Sequence, residues 1–544
     1  MIKLEKISFN PKFIFLTLTI FTGIIVRSQY IDYIPMLSQG DHGLVLYAAQ
    51  MSLDGVMPYK GYTWFYGPFM PAYYGLFLKL TGISIPSILL GKAILELLSG
   101  VFIYLIMSLF VSPFLALVAA LWFWAFDPGF FYTFNHLGGV TFILASLYSL
   151  CLYLYSSQVR HLFISLMACF ILSLIKLNIG LATAAALVSC VLVIDFLKKI
   201  PLSINKKIFH LFSIIILFII SIAIYWHMTK GLPFYEIKQN LQYFNNDYYS
   251  RGFGLGGLFI NLYQFWLITK SHILIHPIAS LICLTVLISF VRLIFLLRRK
   301  QYTQDKKSSA VVFLLCLFIF WIFLFHEFII SGIGFRLEWG QPLQFLLMFI
   351  VIDYGLLNIR RYLKYSLYSL FLLFATIQFL YSYQTIQRSK NPSQYLSIKN
   401  GKVFVGNPSN WVAVVIQTAK YLEHNLKKDE LFFALPYEPI YYFLAKKRSP
   451  SRQIIFFEFV NIPAEQEEKV IEELNKKNVN WIVMSNRIDP TESGMGTFGK
   501  THCRLLSEYI NNNFEVVATF GDWQNDPGWA WNHGTKILKR IKPL

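Results

Sequence analysis

The chain has 544 residues, of which 56% are hydrophobic and only 14% charged, whereas a soluble domain carries about 25% charged residues. Its net charge of +19 comes from Lys and Arg clusters in short loops between apolar runs, which argues against nucleic-acid binding and is typical of the cytoplasmic loops of membrane proteins. The six cysteines have no metal-binding spacing. The composition therefore indicates an integral membrane protein.

Apolar runs of membrane-spanning length recur from residue 13 to about residue 383 and predict about eleven transmembrane helices. They lie at about 13–29, 85–111, 114–126, 137–155, 161–176, 178–197, 208–228, 273–296, 310–330, 341–357 and 364–383. Alternating these spans places all the basic clusters on one side, as the positive-inside rule requires. The N-terminus is then cytoplasmic, and the first loop (30–84) shares the external side with everything after the last span.

The first external loop holds two short segments of helical periodicity that frame several charged residues. One segment begins at Asp41 and would end at Gly55, and the other begins at Tyr66-Gly-Pro68 and would end at Gly82. Both are predicted to lie along the membrane surface. Asp41 has a structural interpretation as the N-cap of its helix. Capping does not explain why acidic Asp41 and Asp54 lie beside anionic lipid headgroups.

The chain after the last span reads as a linker at 384–400 followed by a small α/β domain at 401–544. Short buried-strand patterns at 431–435, 481–484 and 514–518 alternate with amphipathic helical patterns at 464–477 and 503–511. Such alternation favours a small mixed sheet. The predicted architecture is a polytopic α-helical membrane domain (1–383) with interfacial helices in the first loop and an external α/β domain.

The order of motifs in the first loop resembles a known superfamily. An acid (Asp41) opens a surface helix, and Asp54-Gly-Val-Met-Pro-Tyr59, Tyr66-Gly-Pro68-Phe and an aromatic helix ending in Lys-Leu-Thr-Gly82 follow. This order resembles the GT-C superfamily of glycosyltransferases that use polyprenyl-phosphate sugars. It is most similar to the protein O-mannosyltransferase and aminoarabinose (lipid A) transferase branch, and the resemblance is clearest over residues 30–112.

The resemblance implies an inverting glycosyl transfer on the external face of a bacterial inner membrane. A sugar would move from a polyprenyl-phosphate donor to a hydroxyl of a cell-envelope acceptor, which could be a lipid, a glycan or a protein. Asp41 would act as the base or orient the acceptor. Many relatives have Asp-Glu here, whereas this chain has His42, which would either replace the Glu as a metal or hydrogen-bonding ligand or be solvated. A divalent metal assists some members, and Asp41 and His42 would be its ligands.

The leaving phosphate requires cations at the external membrane boundary. The residues expected to bind it are Arg336, Lys60 and Arg251, and Lys176 is a further candidate. Arg336 has an alternative partner in Glu338 or Glu327, and Lys60 could instead snorkel to the interface. Further candidates for substrate binding are His42, Asp54, Tyr59, Tyr66, Glu338 and Asn246, the last in an aromatic and glycine-rich loop (240–257) that would form either a flap or an interfacial loop.

Two polar pairs lie at external span ends, Asn135 with His136 and Lys176 with Asn178. They are boundary residues or line a cavity. Other functions consistent with the sequence are a transporter or flippase of lipid-linked sugars and a polysaccharide polymerase or ligase. A transporter would need ionisable groups deep in the spans, where Lys92, Glu96 and Asp353 are the main exceptions to an uncharged interior.

Overall fold

A computed structural model describes residues 10–125, 134–198, 204–234, 236–237, 306–327, 339–353, 361–489, 495–525 and 533–541. These residues are mostly helical. A helix occupies each predicted apolar span except 273–296, which lies outside the described residues.

The helices before the C-terminal region are α1 (Pro11–Ser28), α2 (Asp41–Leu53), α3 (Phe69–Thr81), α4 (Ile85–Phe110), α5 (Pro113–Ala125), α6 (Phe134–Ser156), α7 (Val159–Ile175), α8 (Leu177–Lys198), α9 (Ile204–Thr229), α10 (Lys306–Leu324), α11 (Gln341–Asp353) and α12 (Arg361–Ser389). Among the described residues, five helices are long and apolar enough to cross a membrane, within α1, α4, α6, α8 and α12. Several more are shorter apolar helices, including α5 and α7. The bundle is that of a multi-pass membrane protein.

The C-terminal region contains β2 (Tyr395–Leu396), β3 (Val403–Val405), α13 (Ser409–Asn425), β4 (Phe432–Leu435), α14 (Ile440–Leu444), α15 (Ala464–Lys476), β5 (Trp481–Ser485), α16 (Arg504–Asn513), β6 (Phe514–Gly521) and β7 (Gly534–Arg540). The last four strands form a mixed sheet in the order β4-β5-β7-β6, in which β4 and β5 are parallel and the other pairs antiparallel. The carboxyl ends of β4 and β5 therefore meet at one edge of this sheet.

The stretch 384–400, predicted as a linker, is structured. Helix α12 continues through it to Ser389, and Tyr395–Leu396 forms β2. A polar sequence does not require a flexible segment here, because β2 pairs with β3 and β3 pairs with β1 (Tyr33–Ile34) of the first loop. This three-stranded sheet ties the first loop to the chain that follows the last bundle helix.

Helix α2 is enclosed by protein and does not lie along an open surface as predicted. Every residue from His42 to Met51 is buried, because α3 packs on one side and α14 on another. The approach of α14 depends on Gly43, where an added Cβ would lie 2.6 Å from the backbone nitrogen of Ile440. The apolar face seen in the sequence is present, and α14 packs on it, since the ring of Tyr47 lies 5.4 Å from that of Tyr442.

Candidate active site

Asp41 is the first residue of α2 and lies where the bundle, the first loop and the C-terminal sheet meet. Its N-cap is Gly40, so the N-cap interpretation of Asp41 is wrong. The carboxylate instead accepts a hydrogen bond from the phenol of Tyr437, at 2.9 Å between Oδ1 and the hydroxyl oxygen. Asp41 is partly buried, and its position in the first turn places its negative charge near the positive end of the helix dipole.

Tyr437 comes from the loop between β4 and α14. Its ring packs so closely on Gly40 that a Cβ there would lie 2.5 Å from the ring edge. The same loop is fixed to the chain before Asp41, because the Ile440 N–H donates to the Gln39 carbonyl at 3.2 Å. A tyrosine distant in sequence thus orients the candidate base, and no pattern around Tyr437 indicates this role.

A buried polar network lies behind Tyr437. Glu438 is fully buried in the loop after β4, and the hydroxyl of Ser485, the last residue of β5, donates to its Oε1 at 2.6 Å. Burial raises the pKa of Glu438 to about 8. His533 bridges Gln39 and Tyr441 through its two ring nitrogens, at 3.3 Å each, and burial lowers its pKa to about 3.

His42 faces inward from the first turn of α2. Its Nδ1 accepts from the Ser38 backbone N–H at 3.1 Å, which leaves the proton on Nε2. The ring packs against that of Phe134, with centroids 5.1 Å apart. Burial, followed by the charge of Lys92, lowers the pKa of His42 to about 3, so the imidazole is neutral. His42 is therefore buried and not solvated.

Asp54 and Lys60 lie away from Asp41, towards the other end of α2 and beyond. Asp54 forms an exposed ion pair with Arg448, at 3.2 Å. The Lys60 ammonium is exposed and donates to the His227 carbonyl in the last turn of α9, at 3.1 Å, where a cation is favourable. These contacts give both residues a structural role, and substrate contacts for them remain predictions.

Tyr59 and Tyr66 shape the turn that follows α2. Tyr59 is buried, has a φ of 68° and donates its phenol to the Tyr66 carbonyl at 2.5 Å. Arg452 holds the same turn by donating to the Tyr59 carbonyl at 3.0 Å. Gly67 then packs against the end of α7, where a Cβ would lie 1.9 Å from the Leu174 carbonyl oxygen.

The predicted polar span ends come together beside this turn. The Lys176 ammonium pairs with Glu327 at 2.7 Å, and the Asn178 amide donates to the same carboxylate at 2.7 Å. Lys176 also lies 5.4 Å from the Trp339 ring centroid. Glu327, one predicted partner of Arg336, is thus bound to a lysine. Lys176, predicted as a boundary or cavity residue and as a further phosphate candidate, thus has a carboxylate partner that no local pattern indicates.

His136 joins this cluster to the Tyr66-Gly-Pro68 turn. Its ring centroid lies 4.9 Å from that of Trp339 and 5.9 Å from that of Tyr66. Its neighbour Asn135 is fully buried at the start of α6. The cluster of Asn135, His136, Lys176, Asn178, Glu327 and Trp339, termed here the α6–α8 cluster, is the second polar site at this end of the bundle.

A third charged group lies within the bundle. Glu96 on α4 pairs with Arg27 on α1 at 3.2 Å and with Lys92 one helical turn earlier. Arg27 and Glu96 are almost fully buried. The charge of Lys92 contributes to the lowered pKa of His42, so this group lies close to the first turn of α2.

Four of the predicted site residues, Arg336, Arg251, Glu338 and Asn246, lie outside the described residues. Their roles remain predictions. Among the described residues, no three His, Cys, Asp or Glu side chains come together as a metal site would require. Asp41 and His42 remain the predicted ligands of a metal; Asp41 accepts from the Tyr437 phenol and His42 from the Ser38 backbone N–H.

No protein-family model and no curated protein matches the chain. Solved structures do. ArnT from Cupriavidus metallidurans in the apo state covers 96% of this chain and 97% of its own, with a TM-score of 0.54 and 12% identity. The same protein bound to undecaprenyl phosphate gives a TM-score of 0.53. The archaeal oligosaccharyltransferase AglB from Archaeoglobus fulgidus, in complex with an inhibitory peptide and a dolichol-phosphate, covers 92% of this chain and 72% of its own, with a TM-score of 0.50 and 11% identity.

At these identities the likeness concerns the fold. The chain has the fold of GT-C glycosyltransferases, as the motif order of the first loop predicted. The likeness extends over nearly the whole chain and not only over residues 30–112.

Proposed function

We propose that the protein is a membrane glycosyltransferase that moves a sugar from a polyprenyl phosphate to a hydroxyl of a cell-envelope acceptor, with inversion, on the external face of a bacterial inner membrane. The fold supports the transferase class, since a solved structure of the same fold is bound to undecaprenyl phosphate. The observation that carries the proposal is the position of Asp41, whose carboxylate is held by Tyr437 where the bundle meets the C-terminal region.

Asp41 acts as the general base. It takes the proton of the acceptor hydroxyl as the acceptor oxygen attacks the anomeric carbon from the face opposite the phosphate. The bond between the anomeric carbon and the phosphate oxygen breaks, and the polyprenyl phosphate leaves with the electron pair. A hydroxyl has a high pKa, so the base has to be positioned in the transition state, and the Tyr437 hydrogen bond supplies that orientation.

The phosphate of the leaving lipid is assigned to Arg336 and Arg251, with Lys60 as the third candidate. A guanidinium binds phosphate oxygens in a bidentate way and so holds the charge that develops as the bond breaks. The apolar helices would hold the polyprenyl chain. A divalent metal, where one assists, would take Asp41 as its ligand.

The test uses the purified full-length protein in liposomes. A panel of undecaprenyl phosphates carrying glucose, mannose, galactose or arabinose is offered with envelope lipid extract, and release of undecaprenyl phosphate is measured. Wild type should consume at least one member of the panel, and Asp41→Asn should lose turnover by about a hundredfold or more, as the removal of a general base does.

Asp32→Asn is the matched control, because it makes the same chemical change in a partly exposed ion pair of the same loop, with Lys390 at 2.7 Å. It should turn over like wild type. Equal turnover by the Asp41 variant and wild type would remove the proposed base. If wild type consumed no lipid-linked sugar but moved it across the bilayer, the transporter alternative would replace the enzyme.

A further inference from the structure

The first turn of α6 holds buried polar groups that the proposed chemistry does not yet use. Asn135 is fully buried, and neither its amide nitrogen nor its amide oxygen has a hydrogen-bond partner among the described residues. The indole N–H of Trp339 is also buried and has no hydrogen-bond partner among the described residues. Each buried group without a partner costs about 1–3 kcal/mol, and folded proteins keep few of them. These groups call for a partner that both donates and accepts.

Trp339 lies across the face of α6 that carries Asn135. Its six-membered ring touches Gly139 so closely that a Cβ there would lie 2.3 Å from it. Asn135 precedes Gly139 by four residues and therefore shares its face of the helix. The His136 ring, 4.9 Å from the Trp339 ring, lies next to both. An amide, an indole and an imidazole thus bound one small region.

The charges of the α6–α8 cluster favour a neutral ligand. Lys176 is paired with Glu327 at 2.7 Å, and Asn178 donates to the same carboxylate. A phosphate here would meet a Lys176 ammonium whose charge Glu327 balances, and it could give no proton to the amide oxygen of Asn135. The hydroxyls of a sugar donate and accept at once, and the apolar face of a sugar ring packs on an indole.

The region lies next to the candidate base. Phe134, the residue before Asn135, contacts the ring of His42, which follows Asp41 in α2. Tyr74 fixes the start of α6 by donating to the Phe134 carbonyl at 2.9 Å. A ligand at Asn135 would therefore lie close to the end of α2 at which Asp41 begins the helix.

We infer that Asn135 and Trp339, with His136 beside them, bind the sugar ring of the lipid-linked donor, while its phosphate is held elsewhere. This inference rests on the proposed function. It assigns to Asn135 the hydrogen bonds to sugar hydroxyls and to Trp339 both an N–H donor and a flat apolar surface. The neighbouring polar group has no net charge and therefore does not bind the phosphate; it consists of Lys176, Asn178 and Glu327.

The experiment compares binding of bare undecaprenyl phosphate with binding of the sugar-loaded undecaprenyl phosphate that wild type consumes. Wild type should bind the sugar-loaded lipid more tightly. Asn135→Leu should lose about tenfold of that affinity, which is about 1.4 kcal/mol, and keep the affinity for the bare lipid. The unliganded Asn135→Leu protein should also melt at a higher temperature than wild type, because a buried amide without partners has been replaced by an apolar side chain.

Trp339→Phe is a second variant, which keeps the aromatic face and removes the N–H; it should lose part of the same affinity. Thr141→Val is the control on the same helix, because the Thr141 hydroxyl is satisfied inside the protein by the Leu137 and Leu95 carbonyls. This control should lower the melting temperature and leave the ratio of the two affinities unchanged.

Three outcomes would overturn the inference. If Asn135→Leu lowers stability and keeps the ratio of affinities, Asn135 stabilises the fold and does not bind the sugar. If the loss appears only in the KM of the acceptor, the region belongs to the acceptor. If wild type bound no sugar-loaded lipid more tightly and consumed none, the proposed function itself would fail, whereas failure of the inference alone leaves wild-type turnover intact.

Discussion

The hydrogen bond from Tyr437 to Asp41 makes a quantitative prediction. Tyr437→Phe keeps the ring that packs on Gly40 and removes only the hydroxyl that lies 2.9 Å from the carboxylate. A hydrogen bond to a charged group is worth about 1.5–3 kcal/mol, and part of that loss is offset because a carboxylate without the bond is a stronger base. We expect turnover to fall about tenfold, which corresponds to about 1.4 kcal/mol in the barrier.

The pH dependence identifies the cause of that loss. The phenol donates to the ionised carboxylate and favours that form, so its removal should move the acidic limb of the pH–rate profile to higher pH. The measurement is the rate of sugar transfer from undecaprenyl phosphate between pH 4 and 9, for wild type and Tyr437→Phe. A merely structural role would lower the rate without moving the limb.

Tyr442→Phe is the control for Tyr437→Phe, since the Tyr442 hydroxyl lies on α14 and accepts from the Ala434 backbone N–H at 2.8 Å. It removes a buried phenol from the same segment without touching Asp41. It should lower stability and leave the acidic limb in place. The reasoning is refuted if Tyr437→Phe keeps both the wild-type rate and the wild-type limb, or if the two variants shift the limb equally.

Three further predictions concern stability, each measured by thermal unfolding of the detergent-solubilised protein. Gly43→Ala should destabilise the protein by about 1–3 kcal/mol, although alanine favours helices. The reason is that its Cβ would lie 2.6 Å from the Ile440 backbone nitrogen, which cannot rotate away. A gain in stability would contradict the close packing of α2 on α14. Burial lowers the pKa of His533 to about 3, so between pH 6.5 and 3 unfolding takes up a proton at this residue. Acidification from pH 7 to 5 should therefore lower the free energy of unfolding by about 2 kcal/mol through His533. The His533→Gln variant should lose less stability than wild type over the same interval. Asp54→Asn should change stability by less than about 1 kcal/mol, since its ion pair with Arg448 is exposed; a larger loss would mean that the pair is desolvated in solution.

Local chemistry determined most of the architecture. Apolar runs long enough to span a bilayer predicted the bundle helices, because a span without water must satisfy its own backbone hydrogen bonds. Helical spacing after Asp41 and after Tyr66 predicted α2 and α3, and the strand patterns at 431–435 and 481–484 lie on β4 and β5. These signals are short-range, so they could be read without knowing what packs against each element.

Tertiary contacts decided the environment of each candidate residue. Asp41 and Tyr437 lie 396 positions apart, and Lys176 and Glu327 lie 151 apart, so no local pattern links either pair. The sequence placed α2 on a surface because its apolar periodicity marks only one face. The C-terminal region packs on α2 at Gly43, whose missing side chain lets α14 approach, and a glycine in a helix does not reveal which neighbour it admits.

The sequence by itself determined that this is a multi-pass membrane protein, because span length and charge distribution are properties of the chain alone, and the motif order of its first loop resembles that of the GT-C superfamily. Only the tertiary structure decided that Asp41 is not an N-cap but is held by Tyr437, and that Asn135 is buried without a partner among the described residues. The physical reason is that burial and hydrogen-bond satisfaction depend on residues brought together by folding.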